Sequence, residues 1–259
     1  MLAIKTSATF APPSRLRQPA DFRLLRTWLG RHAHLLHVTE CLLCHEGTNG
    51  GAVCGKCLQG LGRARVLPAG RCERCYLRLS SGDAHCSFCD DRNVYFDRHI
   101  SLYQLTPAWR EILHHWKFHN GRRLYGLFRP ALRRILSELK NTRIDSVCYI
   151  DSGLLSRRNR RYQPCLDPAR YLASLAGIPA RAGLRKMKST RQSEEIFNRR
   201  FFAVHDKIAP NGSSGGAVQI LLEDLWTTGA TANEAARVLK KNGVRKVIVL
   251  SLLLREETF

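Results

Sequence analysis

Four CxxC pairs between residues 41 and 89 constrain this chain more than any other feature of its sequence. A CxxC turn brings two sulfurs together, and two such turns complete the tetrahedral thiolate shell that Zn²⁺ prefers. Because four thiolates leave no open coordination position, we predict two structural Zn²⁺ ions and no catalytic metal at these cysteines. The predicted ligands are Cys41, Cys44, Cys54 and Cys57 in the first half, and Cys72, Cys75, Cys86 and Cys89 in the second.

The spacing of the cysteine pairs leaves alternatives open. An iron–sulfur cluster uses the same thiolates, and an interleaved arrangement would pair the first turn with the third instead of the second. His45 and His85 adjoin the cysteines and are alternative ligands, although a complete cysteine set makes them bystanders. Cys148 and Cys165 stand apart from the four pairs, and we predict that they are small buried or part-buried thiols.

A net charge of +21, from 42 basic and 21 acidic residues, indicates a polyanionic partner. Basic residues occur along the whole chain, so the positive field covers the surface and is not confined to one tail. Charge alone does not distinguish DNA, RNA, phosphorylated metabolites and an anionic membrane. The first candidates for tracking a DNA backbone are Arg157, Arg158, Arg160 and Arg161, with a second arginine cluster at 181–191. Candidate stacking platforms are Tyr162, Trp109, Trp116 and Phe118, although packing in a core is the favoured explanation for each single ring.

The sequence predicts no membrane span, because no run of about 18 apolar residues occurs. The first 20 residues lack the continuous apolar stretch and the cleavage site of a secretory signal. Apolar residues at helical spacing in 22–38 predict a short amphipathic helix packed on the protein itself, with a membrane-surface helix as the alternative. We therefore expect a cytoplasmic protein, in which CxxC pairs bind metal more often than they form disulfides.

The composition predicts three parts, namely a basic leader with the amphipathic helix at 1–40, a double zinc ribbon at 41–91, and an α/β domain at 92–259. In the third part we predict strands at 94–103, 144–150, 218–222 and 244–254, and helices at 107–118, 124–139, 169–176 and 230–241. Residues 188–202 are a helix or irregular, and 209–217 is predicted to be a flexible surface connection. The alternation of strands and helices indicates a mostly parallel sheet flanked by helices.

The segment VQILLEDLWTTGATANEAARVL, residues 218–239, has the clearest chemistry. An apolar strand ends in Glu223 and Asp224, and a short loop leads from them into a helix. Gly229 permits the turn, threonine hydroxyls add donors, and the helix N-terminus contributes partial positive charge, so the loop suits a phosphate. The two acids suit ribose hydroxyls or a hydrated Mg²⁺. Open α/β sheets also bind their ligands at the carboxyl ends of strands, where this loop lies.

The part EDLWTTGAT, residues 223–231, resembles the phosphoribosyl pyrophosphate loop of type I phosphoribosyltransferases, in which two acids and a hydrophobic pair precede TTGAT. The resemblance implies that Glu223 and Asp224 contact the ribose diol. It also implies that the 5′-phosphate binds to Thr227, Thr228, Gly229, Ala230 and Thr231. Trp226 is unusually bulky for this loop, which predicts looser closure over a ligand.

Cysteine pairs followed by this loop are the arrangement of the ComF family of competence proteins, which the chain resembles over about residues 40–255. Three further segments support the resemblance, WREILHHWKFHNGRR (109–123), RNRRYQPCLDPARYLA (158–173) and TRQSEEIFNRRFF (190–202). The resemblance implies a type I phosphoribosyltransferase-like sheet behind a small zinc-ribbon domain. It also places Lys117 among the ligand-binding residues.

The loop after the strand at 144–150 departs from the family pattern, because IDSGLLSRR (150–158) replaces a proline-rich segment. In phosphoribosyltransferases this loop grips pyrophosphate, and the resemblance gives that role to Ser152 and Gly153. The family suggests an accessory factor for natural transformation that binds single-stranded DNA and a phosphoribosyl pyrophosphate-like ligand, and that serves a helicase or recombination loader. The alternatives are an active phosphoribosyltransferase with an unknown acceptor, and a zinc-stabilised interaction protein without catalysis.

Overall fold

The computed structural model describes residues 39–48, 50–79, 85–119, 121–151, 163–187, 207–212 and 216–256. Three features named above lie outside the described residues, namely the amphipathic helix at 22–38, the arginines at 157–161 and the segment 188–202. Within the described part of the chain, no helix is both long enough and apolar enough to cross a bilayer.

Residues 41–89, called the cysteine module below, contain little regular structure. The elements here and just before are the antiparallel pair β1 (Thr39–Glu40) and β2 (Gly47–Thr48), followed by α1 (Gly55–Arg63) and α2 (Ser87–Asp90). Helix α1 begins directly after Cys54, and α2 begins directly after Cys86. In each half, therefore, a helix starts at the second cysteine pair and sets the direction of its sulfurs.

Six strands form the main sheet, in the order β3-β8-β7-β4-β5-β6. They are β3 (Arg98–Gln104), β4 (Ser146–Asp151), β5 (Ala180–Lys186), β6 (Ile208–Pro210), β7 (Val218–Trp226) and β8 (Lys246–Leu254). Neighbouring strands are parallel except for β5 and β6. Strand β8 is buried from its second residue onward, as expected for an inner strand covered on both faces. The predicted α/β class, a mostly parallel sheet with a small N-terminal cysteine module, is confirmed.

Helices flank this sheet. They are α3 (Pro107–Phe118), a 3₁₀ helix (Arg122–Phe128), α4 (Arg129–Glu138), α5 (Leu166–Ala176) and α6 (Ala230–Lys241). The Thr106 hydroxyl caps α3 by accepting a hydrogen bond from the Trp109 amide at 3.3 Å. The single helix predicted at 124–139 is wrong, because the chain forms the 3₁₀ helix and then α4. Pro130 in the first turn of α4 lacks an amide hydrogen, and its ring would clash with a carbonyl one turn earlier in a continuous α-helix.

The strand predicted at 94–103 begins only at Arg98, because side chains satisfy the backbone before it. The Arg74 guanidinium donates to the carbonyls of Val94 and Phe96, and the Asn233 side chain accepts from the Tyr95 amide at 2.7 Å. Two other strands, β5 and β6, were not predicted. The sequence of β5, ARAGLRK, lacks an apolar run, and β6 overlaps the predicted surface connection at 209–217.

The cysteine module also covers the outer edge of β3. The Gln104 amide donates to the Ala64 carbonyl at 2.7 Å, and the Val66 amide donates to the Leu102 carbonyl at 3.0 Å. Because an open edge strand offers unpaired backbone groups to other chains, this contact attaches the module and protects the sheet at the same time.

Candidate functional site

The eight cysteines of the module form two separate groups of four. The first group is Cys41, Cys44, Cys54 and Cys57, and the second is Cys72, Cys75, Cys86 and Cys89. Within each group all four sulfurs lie within 4.8 Å of one another. Sulfur–sulfur distances include 3.6 Å between Cys44 and Cys54, 3.4 Å between Cys75 and Cys86, and 3.9 Å between Cys72 and Cys89. The pairs therefore combine in sequence order and are not interleaved.

These separations fit a tetrahedral metal shell. Zinc–sulfur bonds of about 2.3 Å put two sulfurs of a tetrahedron about 3.8 Å apart, whereas a disulfide needs about 2 Å. The ten cysteines, all within the described residues, are free thiols. His45 and His85 belong to neither group. Each group is thus a complete set of four sulfur donors that can bind Zn²⁺.

Backbone donors in the first group favour a thiolate. The amides of Leu43 and Cys54 donate to Cys41 Sγ at 3.5 and 3.3 Å. Burial disfavours the charged form, but these hydrogen bonds outweigh it and lower the pKa of Cys41 to about 6. Burial and contacts with the neighbouring thiols raise the pKa of Cys57 to about 12. Without metal, a thiolate at Cys41 thus disfavours a second thiolate at Cys57. A divalent cation offsets this repulsion, because it is the thiolate that coordinates metal.

The strand order places a topological switch point between β4 and β7. These strands are adjacent and parallel, but the chain passes from β4 to β5 on one side and from β7 to β8 on the other. Ligands of open α/β sheets bind at such a switch point, beyond the carboxyl ends of the strands. Ser152 and Gly153, predicted to contact pyrophosphate, follow directly after β4 and lie outside the described residues.

The predicted phosphate loop is a tight turn, 227–229, between β7 and α6. Gly229 precedes α6 in the left-handed conformation, at φ 72°, which glycine adopts without strain. The Thr228 hydroxyl accepts a hydrogen bond from the Ala230 amide at 3.3 Å. The positive end of the 12-residue helix α6 therefore lies directly after this turn, at the switch point, where helix N-termini favour anions.

Strand β7 is longer than predicted, because Leu225 and Trp226 continue its ladder with Leu253 and Leu254 of β8. The indole of Trp226 is fully buried and stacks on the ring of His99, with 3.8 Å between centroids. Its bulk is thus accommodated by packing against β3 and the cysteine module.

The structure brings Lys117 to the acidic pair at the end of β7. Lys117 Nζ lies 2.5 Å from Asp224 Oδ2, and both side chains are mostly buried. One carboxyl oxygen of Glu223, Oε2, is buried without a hydrogen-bond partner among the described residues. Burial, and then the charge of Asp224, raise the pKa of Glu223 to about 8 against the opposing charges of Lys186 and Lys117. The buried Glu223 carboxyl therefore ionises less readily than an exposed one.

Two residues near these acids were not predicted to belong to the site. Lys186 ends β5, and its charge acts on Glu223. Cys165 precedes α5, and its pKa is raised well above the ordinary value by burial and then by the charge of Asp224, so its thiol is poorly nucleophilic. Cys148, on β4, is fully buried, whereas Cys165 is only part-buried, and burial raises the pKa of Cys148 to about 12. The missed strand β5 explains why sequence reasoning could not place Lys186.

No protein-family model and no curated protein matches this chain. Among solved structures, an adenine phosphoribosyltransferase is similar over 52% of this chain and 74% of its own, with 16% identity and a TM-score of 0.33. The adenine phosphoribosyltransferase from Saccharomyces cerevisiae, complexed with an imino-altritol bisphosphate and adenine, is similar over 52% of this chain and 72% of its own. The sequence identity is 16% and the TM-score is 0.32. A phosphoribosylpyrophosphate synthetase from Mycobacterium smegmatis is similar over 51% of this chain but only 38% of its own, with 16% identity and a TM-score of 0.32.

Proposed function

We propose that this protein is a ComF-family member that binds phosphoribosyl pyrophosphate with Mg²⁺ at the switch point between β4 and β7. One observation carries the proposal. Glu223 and Asp224 lie in the last part of β7, and the short turn after this strand leads into a glycine-capped helix N-terminus at the switch point of a mostly parallel sheet. The site therefore combines donors for a phosphate with acceptors for ribose hydroxyls within one short segment.

Each part of the site has a distinct task under this proposal. The amides and hydroxyls of 227–231 hold the 5′-phosphate, and the two carboxylates hold the ribose diol or the water shell of Mg²⁺. When bound, Mg²⁺ neutralises pyrophosphate charge. Lys117 orients Asp224 through its ion pair. The buried, unpartnered Glu223 Oε2 supports a ligand that supplies a hydrogen-bond donor, because an unsatisfied buried acceptor costs free energy.

The first prediction is that Asp224→Ala weakens phosphoribosyl pyrophosphate binding by about 10- to 150-fold. This corresponds to the loss of about 1.5–3 kcal/mol from hydrogen bonds to a charged group. Isothermal titration calorimetry of the full chain in excess Mg²⁺ measures the effect. Asp97→Ala is the matched control, because Asp97 also forms a part-buried ion pair with a lysine, Lys240, at 2.9 Å, but outside the proposed site. We expect its affinity to stay within twofold of wild type.

Two results would overturn the ligand site. Saturating phosphoribosyl pyrophosphate with Mg²⁺ could give neither heat nor a thermal shift, or Asp224→Ala could bind as tightly as wild type. A parallel titration with inorganic pyrophosphate tests ribose recognition, since pyrophosphate alone lacks the hydroxyls that the carboxylates accept. We expect it to bind at least tenfold more weakly, about 1.4 kcal/mol.

We further propose that the polyanionic partner is single-stranded DNA and that the protein is a cytoplasmic accessory factor in DNA uptake, serving a helicase or recombination loader. The net charge of +21 supports this partner. Of the candidate stacking platforms, Trp109 and Trp116 are buried, and Tyr162 lies outside the described residues. Phe118, by contrast, is 54% exposed at the end of α3 and lies beside the ring of His114. An exposed ring among basic residues suits base stacking.

The second prediction concerns oligothymidylate binding, measured by fluorescence anisotropy over a salt series. Affinity should fall linearly with salt on logarithmic axes, because bound phosphates displace counterions. Phe118→Ala should weaken binding by about 5- to 150-fold, from a stacking contribution of about 1–3 kcal/mol, without changing the salt slope. Leu175→Ala, which removes a comparably exposed apolar side chain from α5, should have no effect. Binding that is absent at low salt, or insensitive to salt, would refute the electrostatic proposal.

A further inference from the structure

The second cysteine group is joined to the sheet through His99 on β3. The carbonyl of Cys75 lies 2.7 Å from His99 Nδ1, and a carbonyl can only accept, so the proton is on Nδ1. Burial lowers the pKa of His99 to about 3, so the ring is neutral and Nε2 accepts from the Ser251 hydroxyl at 2.8 Å. The His99 amide also donates to the Arg74 carbonyl at 2.7 Å. Both carbonyls belong to the CxxC turn 72–75, which is thus fixed to β3.

The same histidine lies on Trp226, the residue before the phosphate loop. The two rings are stacked at 3.8 Å with 13° between their planes. Phe88, which lies between Cys86 and Cys89 in the other turn of the second group, contacts the indole at a centroid distance of 6.2 Å. Both turns of the second cysteine group therefore reach Trp226, one through His99 and the other directly.

The indole of Trp226 is in turn in close contact with the loop at Gly229. A Cβ atom at Gly229 would lie 2.4 Å from indole Cζ2, far inside van der Waals contact. The ring edge therefore lies directly against the Cα of the residue that precedes α6, and no gap lets ring and loop move independently. The position of the Trp226 ring therefore determines the position of Gly229. Gly229 in turn sets the direction of the first amides of α6.

The first cysteine group has a different connection to the sheet. Helix α1, which carries Cys57, ends near Leu61, whose carbonyl accepts a hydrogen bond from the Trp109 indole at 3.1 Å. Trp109 is as deeply buried as Trp226 and stacks on Tyr103 and Phe128. Each of the two cysteine groups is thus connected to a buried tryptophan, but only Trp226 is adjacent in sequence to the phosphate loop.

We propose that His99 and Trp226 are positioning residues that couple metal occupancy of the second cysteine group to the ligand affinity of the loop 227–231. The coupling rests on the proposed function of that loop as a phosphoribosyl pyrophosphate site. Without metal, the turn 72–75 no longer holds the Cys75 carbonyl against His99, and the stack on Trp226 loses its support. The ligand must then order the loop itself, at a cost in conformational entropy. Because coupling is reciprocal, ligand also tightens metal binding in the second group.

Single-cysteine variants of the full chain test the coupling. Cys89→Ser removes a ligand from the second group, and Cys44→Ser removes one from the first. We expect phosphoribosyl pyrophosphate affinity, measured by calorimetry with Mg²⁺, to fall about tenfold or more in Cys89→Ser and to stay within twofold in Cys44→Ser. Metal analysis should show about one Zn²⁺ lost in each variant. Equal affinities in the two variants would overturn the proposal.

Tryptophan variants test the route through the indole. Trp226→Phe keeps an aromatic ring but shortens the edge that touches Gly229, so ligand affinity should fall about tenfold while both Zn²⁺ ions are retained. Trp109→Phe is the matched control and should leave affinity unchanged. Combining Trp226→Phe with Cys89→Ser should weaken binding no further than Cys89→Ser alone, because both break the same connection. Additive losses would contradict a single route.

Hydrogen exchange separates failure of the coupling from failure of the proposed ligand. If wild type binds no phosphoribosyl pyrophosphate, the proposed function is overturned, and exchange of the 227–233 amides still reports the state of the loop. We expect at least tenfold faster exchange there in Cys89→Ser and in Trp226→Phe than in wild type, with no change in Cys44→Ser or Trp109→Phe. Unchanged exchange in Trp226→Phe overturns the coupling even if Cys89→Ser proves too unstable to purify.

Discussion

Chelation of Zn²⁺ is expected to unfold the cysteine module while the parallel sheet stays folded. Among the described residues, the module contains one two-residue strand, paired with β1 just before it, and two short helices. Most of the buried apolar residues belong to the sheet and its helices. Structural Zn²⁺ sites contribute an apparent binding free energy of about 10–16 kcal/mol, far more than so small a core supplies. Purified protein should contain about two Zn²⁺ per chain, and chelator should release both.

Metal analysis, circular dichroism and limited proteolysis measure this result together. After chelation, cleavage should concentrate between residues 41 and 89, and most of the helical signal should survive. Cys148→Ser is the control, since Cys148 is a buried thiol outside both groups and its replacement should leave two Zn²⁺ bound. One Zn²⁺ per chain would mean that only one group binds metal. Iron with visible absorbance would favour the iron–sulfur alternative instead.

The sequence predicted the features that depend on local spacing. The cysteine groups follow from four CxxC pairs, and their sequential combination needs only a hairpin in each half. Helix α6 has the predicted bounds, 230–241, because Gly229 begins it and Asn242 and Gly243 end it. The mostly parallel sheet follows from the alternation of apolar strands with helices.

The features that the sequence did not predict depend on partners distant in the chain. Strand β7 extends to Trp226 because β8 supplies its ladder, and the short strand prediction at 218–222 could not include that partner. Lys186 is brought to the acids by β5. The sequence of this strand is too polar to predict a strand, and β5 forms because it pairs with β4. The ion pair of Lys117 with Asp224 joins positions 107 residues apart, so no local pattern contains it.

A cluster around Arg71 fastens the second half of the cysteine module to the end of the chain. The guanidinium, only 3% exposed, donates to the carbonyls of Leu67 and Tyr76, each at 2.9 Å, and pairs with the carboxylate of Glu256. The Gln104 side chain donates to the same carboxylate at 2.6 Å. The guanidinium thus has hydrogen-bond partners although it is buried. Its removal takes away a donor from the Leu67 and Tyr76 carbonyls and from the Glu256 carboxylate.

Arg71→Ala should therefore lower the free energy of unfolding by about 3–5 kcal/mol, the cost of breaking a buried ion pair from one side. Arg78→Ala is the matched control, because Arg78 approaches the same carboxylate at 3.5 Å but is 76% exposed, and exposed pairs contribute at most about 1 kcal/mol. Urea titrations in Zn²⁺-containing buffer, followed by tryptophan fluorescence, measure both. Similar losses in the two variants would mean that burial of Arg71 does not determine its contribution.

The stabilisation by the Arg71–Glu256 ion pair should also depend on pH. Burial acts to raise the pKa of Glu256, but the hydrogen bond and charge of Arg71 outweigh it, so the net pKa lies below the ordinary 4.5. A lowered carboxyl pKa stabilises the folded state fully above 4.5, and the stabilisation is lost as pH falls through the lowered value. The thermal midpoint of Glu256→Gln should thus lie furthest below wild type at neutral pH. The two midpoints should converge as pH falls below 4.5 and through the lowered pKa, since wild-type Glu256 then becomes neutral as well. Loss of Zn²⁺ in acid affects both proteins alike, so a gap that stays constant down to pH 3 would show that the charge of Glu256 contributes nothing.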